Sequence, residues 1–376
     1  MKVMTNMFAG VVVGMALAAV ASADDGKLRF LGDFESGHIG KNGTSHDGFY
    51  VATLPDPQSG NEFLHSDESD FGPTTNADTR VVRSEAIGGE TVLPRSGQYF
   101  LRSEVYRTKS YLELNGYTKN RPRSKIYMSN DSLRIEFDQE GFVGFSIYVP
   151  KNFENELGVK DHRGESMLYV MNTNSTRTLV NLGVWVQGSN TEAHWYVRTW
   201  TSSTSTDEAT AAEQMIDLGP VRPDIGKWTD FVFRYRFNPF SVATNPATKG
   251  IPNSRNQLYE GNRGILQVWK AEGSADQNGN RTMALKIDKV NQPLGLVPPA
   301  TDGIKHMWRI YKYGWLANPT TLTHPVWFGF DEIRQGLVER DGTSFADVAP
   351  GGKPCTSGCG TVAETKPKPP TSLAVD

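Results

Sequence analysis

The sequence predicts an all-β chain folded as a β-jelly roll, two stacked sheets with long rim loops, and three observations predict it. Glycine and proline, 37 and 21 residues, punctuate the chain throughout. The segments between them alternate apolar and polar residues with a period of two, as half-buried antiparallel strands require. Long stretches with a helical period are scarce. Many such strands spread over roughly 310 residues fit a sandwich or jelly roll.

In chain order, MKVMTNMFAGVVVGMALAAVASADD carries one lysine, an apolar run from Phe8 to Val20 and a small-x-small site at Ala21-Ser22-Ala23. This is the pattern of an export signal over residues 1–23, too short to span a membrane. The expected location is secreted or periplasmic, with no membrane span. Residues 24–336 are read as the jelly-roll domain. Further strands are expected at 133–150, 265–271, 308–315 and 326–333.

The alternation is clearest in the middle of the chain. In TLVNLGVWVQG, Val180, Leu182, Val184 and Val186 oppose Asn181, Gly183, Trp185 and Gln187. In EAHWYVRTW, Ala193, Trp195, Val197 and Thr199 oppose His194, Tyr196, Arg198 and Trp200. In DFVFRYRFNP, Phe231, Phe233, Tyr235 and Phe237 oppose Val232, Arg234 and Arg236. DEATAAEQM, 207–215, reads as a helix or a polar loop. The polar stretch 238–264 reads as a long rim loop. Residues 337–376, rich in Pro, Gly and Thr, read as a tail or linker. Its two cysteines, Cys355 and Cys359, are the only ones in the chain, and the exported context favours a local disulfide over a redox role.

A formal net charge of −3 lacks the basic surplus of a nucleic-acid binder, while leaving room for a locally basic cleft.

LGDFESG (31–37), FLRSEVYR (100–107), RPRSKIYM (121–128), FVGFSIYVPKNF (142–153), GKWTDFVFRYRF (226–237), GILQVWKAEG (264–273), and YKYG followed by WFGFDEIRQG (327–336) occur in that order. In this order they resemble the jelly-roll polysaccharide lyases, of the heparin-lyase-I-like and glucuronan-lyase-like groups, over about residues 30–336. The resemblance implies a concanavalin-like sandwich whose concave sheet grips an anionic polysaccharide and carries out β-elimination at a uronic acid, with no cofactor required for the chemistry. A monomer is expected.

The chemistry sets its own requirements. The proton removed lies beside a carboxylate, which must be neutralised; a base takes the proton and an acid protonates the leaving oxygen. Relatives use a Gln-x-His strand and a Lys-x-Gly-x-Tyr strand. Here YVMNTNST puts Asn172 near the histidine position, and Lys312-Tyr313-Gly314-Trp315-Leu316 puts leucine at the tyrosine position. Tyr313 or Tyr311 is then the candidate tyrosine, on a strand presenting Arg309, Tyr311, Tyr313 and Trp315. His194, with Tyr196 and Arg198, is the candidate replacement imidazole.

Arg102 and Glu104, with Arg123 and Lys125, alternate on what read as neighbouring strands. They suit either a uronate grip or a cross-strand ion-pair ladder. Arg309 and Lys312 are further cationic contacts. Trp185 and Tyr196 suit sugar faces, and Gln187 reads as an amide needing a partner. Core packing is the expectation for Trp200, Trp228 and Trp269. Glu35 and Asp331, near the first and last strands, are candidate ligands of a structural calcium, or else turn and edge carboxylates. The other histidines, His306 among them, read as surface or loop residues. Two readings compete with the lyase. One is a carbohydrate-binding protein without catalysis; the other is a glycoside hydrolase, which needs a positioned carboxylate pair that the strands do not offer.

Overall fold

The apolar sides of these alternating segments are covered by one another, across the space between two sheets. The computed structural model describes residues 28, 30–32, 34, 40–41, 49–51, 77–82, 85–87, 90–97, 99–105, 123–128, 135–158, 166–173, 177–240, 262–276, 280–297, 303–312 and 326–351. For 30–32, 40–41, 49–51, 77–82, 85–87, 105, 123–128, 166–167, 173 and 311–312 it describes backbone and register.

The strands are β1 (Phe30–Gly32), β2 (Gly40–Lys41), β3 (Phe49–Val51), β4 (Ala77–Val82), β5 (Glu85–Ile87), β6 (Glu90–Val92), β7 (Phe100–Val105), β8 (Arg123–Met128) and β9 (Gly141–Val149). They continue with β10 (Ser166–Thr173), β11 (Thr178–Trp185), β12 (His194–Thr201), β13 (Ala212–Pro220), β14 (Lys227–Arg236), β15 (Gly264–Glu272), β16 (Thr282–Gln292), β17 (Ile304–Lys312) and β18 (Val326–Leu337). Two short helices follow, α1 (Val338–Asp341) and α2 (Phe345–Val348).

The front sheet runs β13-β12-β11-β10-β17-β8-β3-β2, and the back sheet β16-β15-β14-β9-β18-β7-β4 with β1 beside β18. Neighbours in both sheets are antiparallel, except the parallel pair β2 and β3. This is the expected all-β jelly roll. Phe231, Phe233 and Tyr235 of β14, and Phe237 just after it, are fully buried in the core with Trp195, Val197, Tyr169 and Trp308 of the front sheet. Aromatic rings bridge the sheets: Phe145 lies 4.5 Å from Tyr169, and Trp195 4.9 Å from Phe231. Such pairs add to the area term of burial.

Four expectations are revised. DEATAAEQM makes one 3₁₀ turn at Glu208–Thr210, begun by Asp207 accepting from the Ala209 N–H, and the chain then pairs along β12 as β13. A run this short has little helical stability of its own, and the exposed edge of β12 offers a ladder instead. His306 is not a surface residue: it lies 1% exposed in the core. Packed structure also continues beyond the expected boundary at 336. Val338, Phe345 and Val348 lie on Phe142, Val232 and Trp269, on the outer face of the back sheet. Arg102 and Glu104 stand apart from Arg123 and Lys125, because β7 pairs with β4 and β18 in the back sheet while β8 pairs with β17 in the front. Residues 1–23, the rim loop at 241–261 and the tail from 352 lie outside the described residues.

Candidate active site

β17 supplies Trp308 and Ile310 to the core. Alternation therefore gives Met307, Arg309 and position 311 to the outer face of the front sheet. The register with β8 sets Met307 against Tyr127, Arg309 against Lys125 and Tyr311 against Arg123. On the other side, Tyr311 pairs with Met167 of β10, and Met307 with Val170. Irregularities between Met167 and Tyr169 shift β10 by one residue against both neighbours. Three cationic positions and a tyrosine position thus occupy two adjacent strands. Arg309 itself is 7% exposed.

Farther across the same face, β11 and β12 present Asn181, Trp185, His194, Tyr196 and Arg198, while their partners Leu182, Val184, Trp195 and Val197 fill the core. Trp185 stacks on Tyr196 at 5.0 Å, and the Arg198 guanidinium lies over Trp185 at 5.3 Å and over Trp200 at 5.8 Å. Arg198 is paired with Glu213 at 3.0 Å. His194 Nδ1 meets the Asp217 carboxylate at 2.8 Å, and Asn190 Nδ2 donates to the Tyr196 hydroxyl at 2.7 Å. Burial opposes the Asp217 charge, but the Gly219 N–H, His194 and Asn190 outweigh it and hold the carboxyl below its usual range. Burial, with the Asp217 charge beside it, raises the Tyr196 phenol.

The expected site residues do not all converge. His194 lies on β12, three strand steps from β17, a separation of about 14 Å. It does not stand beside β17 as a replacement imidazole would, and Asp217 already holds its Nδ1. Asn172 pairs with Lys305, whereas Tyr311 pairs with Met167, five residues along β10. Asn172 is 4% exposed, and its Oδ1 has no hydrogen-bond partner. Gln187 is exposed in the turn after β11, where its carbonyl accepts from the Asn190 N–H; it is not an amide set among apolar groups. Arg102 lies on the outer side of the back sheet, bonded to Glu104 and 5.9 Å from the Trp327 ring centre. Tyr313, Trp315 and Leu316 lie outside the described residues, as do Cys355 and Cys359.

Asp331, expected as a calcium ligand, accepts hydrogen bonds from backbone amides. Asp331 Oδ2 accepts the Arg95 and Ser96 N–H groups at 2.8 and 3.3 Å, and Oδ1 accepts the Glu332 N–H at 2.8 Å. Its side chain is fully buried, and that burial pushes its pKa well above the usual carboxylate range. Glu35, the other carboxylate expected to hold calcium, lies outside the described residues. Among the described residues no His, Cys, Asp and Glu side chains group as a metal site.

Asp217, Glu213 and Asn190 complete the β12 cluster and were not legible in sequence. The first two sit on β13, whose alanine-rich start resembles a helix. Asn190 sits in a turn that only the register brings back to Tyr196.

A family model described as polysaccharide lyase matches residues 65–334. Among solved structures, the chain is similar to an endo-β-1,4-glucuronan lyase from the fungus Trichoderma reesei, at 15% identity and a TM-score of 0.47, covering 76% of this chain and 95% of that one. It is similar to an alginate lyase from Klebsiella pneumoniae at 10% identity and a TM-score of 0.35, covering 63% and 81%. A third is a marine alginate lyase from Aplysia kurodai, at 9% identity and a TM-score of 0.36, covering 64% and 84%. No curated protein sequence matches.

Proposed function

The chain belongs to the polysaccharide lyase family, and from that premise we propose that it cleaves a uronic-acid-containing anionic polysaccharide by β-elimination on the outer face of the front sheet. The observation that carries this reading is the register of β8 on β17, which pairs Arg123 with Tyr311 and Lys125 with Arg309. Cations at 123, 125 and 309 are assigned to the uronate carboxylate. Neutralising it makes the neighbouring C–H acidic and stabilises the enolate-like intermediate.

Tyr311 is assigned the proton transfers, as base toward that carbon and as acid toward the leaving glycosidic oxygen. The C–H and C–O bonds break, a carbon–carbon double bond forms in the sugar, and no water is consumed. Tyr313 is the second candidate for this role. A polymeric substrate also suits export, as residues 1–23 lead one to expect.

The test offers glucuronan, alginate and heparin to the purified protein and follows absorbance of the unsaturated uronate together with reducing ends. Both should rise on at least one polymer. Tyr311→Phe should lower kcat by at least about 100-fold with a small change in KM, as for a lost acid–base group. An unchanged rate for Tyr311→Phe with a large loss for Tyr313→Phe would move the role to Tyr313. The non-catalytic reading is motivated by β10, whose outer positions carry Val170 and Asn172 in place of Gln and His. Binding without new reducing ends would favour it, and reducing ends without the double bond would favour hydrolysis.

A further inference from the structure

The β12 cluster lies too far from β17 to act on the same sugar, yet it is built as a ligand site. Its floor is aromatic: Trp185 and Tyr196 are 3% and 5% exposed, although neither belongs to a core cluster. The Trp185 Nε1–H is buried with no hydrogen-bond partner. A buried donor left unpaired loses its bond to water without replacement, so such groups are rare unless another molecule supplies the acceptor. Beside it, Arg198 is sandwiched between two indoles, with a half-exposed glutamate as its ion-pair partner. His194, Asn190 and Asp217 add donors and an acceptor at the rim.

Tyr196 stands in the same cross-strand row as Tyr311, through Gly183 of β11 and Met167 of β10. The row spans three strand steps, about 14 Å. That is farther than one pyranose ring bridges, so a single chain laid across the strands meets both places with different sugars.

We propose that Trp185, His194, Tyr196, Arg198 and Asp217 form a second, non-catalytic subsite. It binds another uronate of the same polymer chain, several sugars from the ring undergoing elimination. Arg198, held over the Trp185 ring, and the Trp185 N–H take the carboxylate, and Asp217 and His194 take ring hydroxyls. The proposal rests on the β-elimination reading for the position of the reacting ring, and it makes the enzyme one that depends on chain length.

The test compares wild type with Arg198→Gln and Trp185→Phe, each checked for an unchanged melting temperature. Calorimetric Kd, KM and kcat are measured on glucuronan and alginate and on the matching disaccharides, which cannot span the row. Expected are Kd and KM for the polymer about tenfold higher, kcat changed less than about twofold, and disaccharide constants unchanged. Equal polymer affinity in all three proteins overturns the subsite, and so does an equal loss on the disaccharide. If wild type forms no unsaturated product, the elimination reading fails. The Kd comparison then still decides the subsite, and wild type binding neither polymer overturns it. Should one variant melt early, His194→Gln, at the more exposed rim, takes its place with the same expectations.

Discussion

Asp224 has no exposed surface and receives three donors: Trp195 Nε1 at 2.8 Å, Arg281 Nη2 at 2.7 Å and Lys270 Nζ at 2.9 Å. These come from β12, the segment before β16, and β15, so one carboxylate joins strands of both sheets. Asp224→Asn keeps the shape but removes the charge that two buried cations face. Breaking a buried pair on one side costs about 3–5 kcal/mol, since the remaining charge stays desolvated. Urea unfolding monitored by tryptophan fluorescence should show a lower midpoint with an unchanged m-value. A midpoint equal to wild type would mean that water reaches Arg281 and Lys270, against their 4% side-chain exposures.

α2 shows how an element outside the strands is held. Gly144 of β9 faces it, and a Cβ there would overlap the Val348 carbonyl oxygen. Gly144→Ala should therefore push α2 off the back sheet and destabilise the protein by about 1–3 kcal/mol, as overpacking does. The check is limited proteolysis, with faster cutting near residues 338–351 in the variant. Equal cutting would show that the helix tolerates the shift. That α2 packs at all was not legible, because Phe345 and Val348 sit in a stretch whose Gly and Pro content reads as linker. The strands that bury one full face were legible, β11, β12 and β14 above all, since period-two alternation is a local signal. β13 was hidden for the opposite reason: as an exposed edge strand it carries little apolar pattern. The separation of Arg102 from Arg123 was also hidden, because sheet membership is a non-local fact that alternation does not encode. The cationic positions on β8 and β17 were legible as residues, and only the register turned them into a cross-strand group.

At the scale of the molecule, a buried histidine also links the two sheets. The Tyr169 hydroxyl of β10 lies 2.5 Å from His306 Nδ1, and the Tyr235 hydroxyl of β14 lies 3.2 Å from Nε2. The ring is fully buried, and burial lowers its pKa to about 3. An unfolded chain would protonate the same residue near its ordinary value of about 6.5. Above that value neither state binds the proton, and the contribution to stability is complete. As pH falls below it, the unfolded state binds a proton that the folded core refuses, and stability declines by about 1.4 kcal/mol per pH unit until the folded ring also protonates near pH 3. Other groups titrate in the same window, so the prediction concerns a difference. His306→Gln removes the titration while keeping an amide for the tyrosines. Unfolding free energies of the two proteins, measured by denaturant at pH 7.5, 6, 5 and 4, should differ by a gap that is constant above about pH 6.5 and shifts steadily in favour of the variant below it. Parallel stability curves down to pH 4 would show that water enters between the sheets and that His306 takes up its proton in the folded protein. The inter-sheet contact would then be hydrated, and Tyr169 and Tyr235 would owe their placement to packing alone.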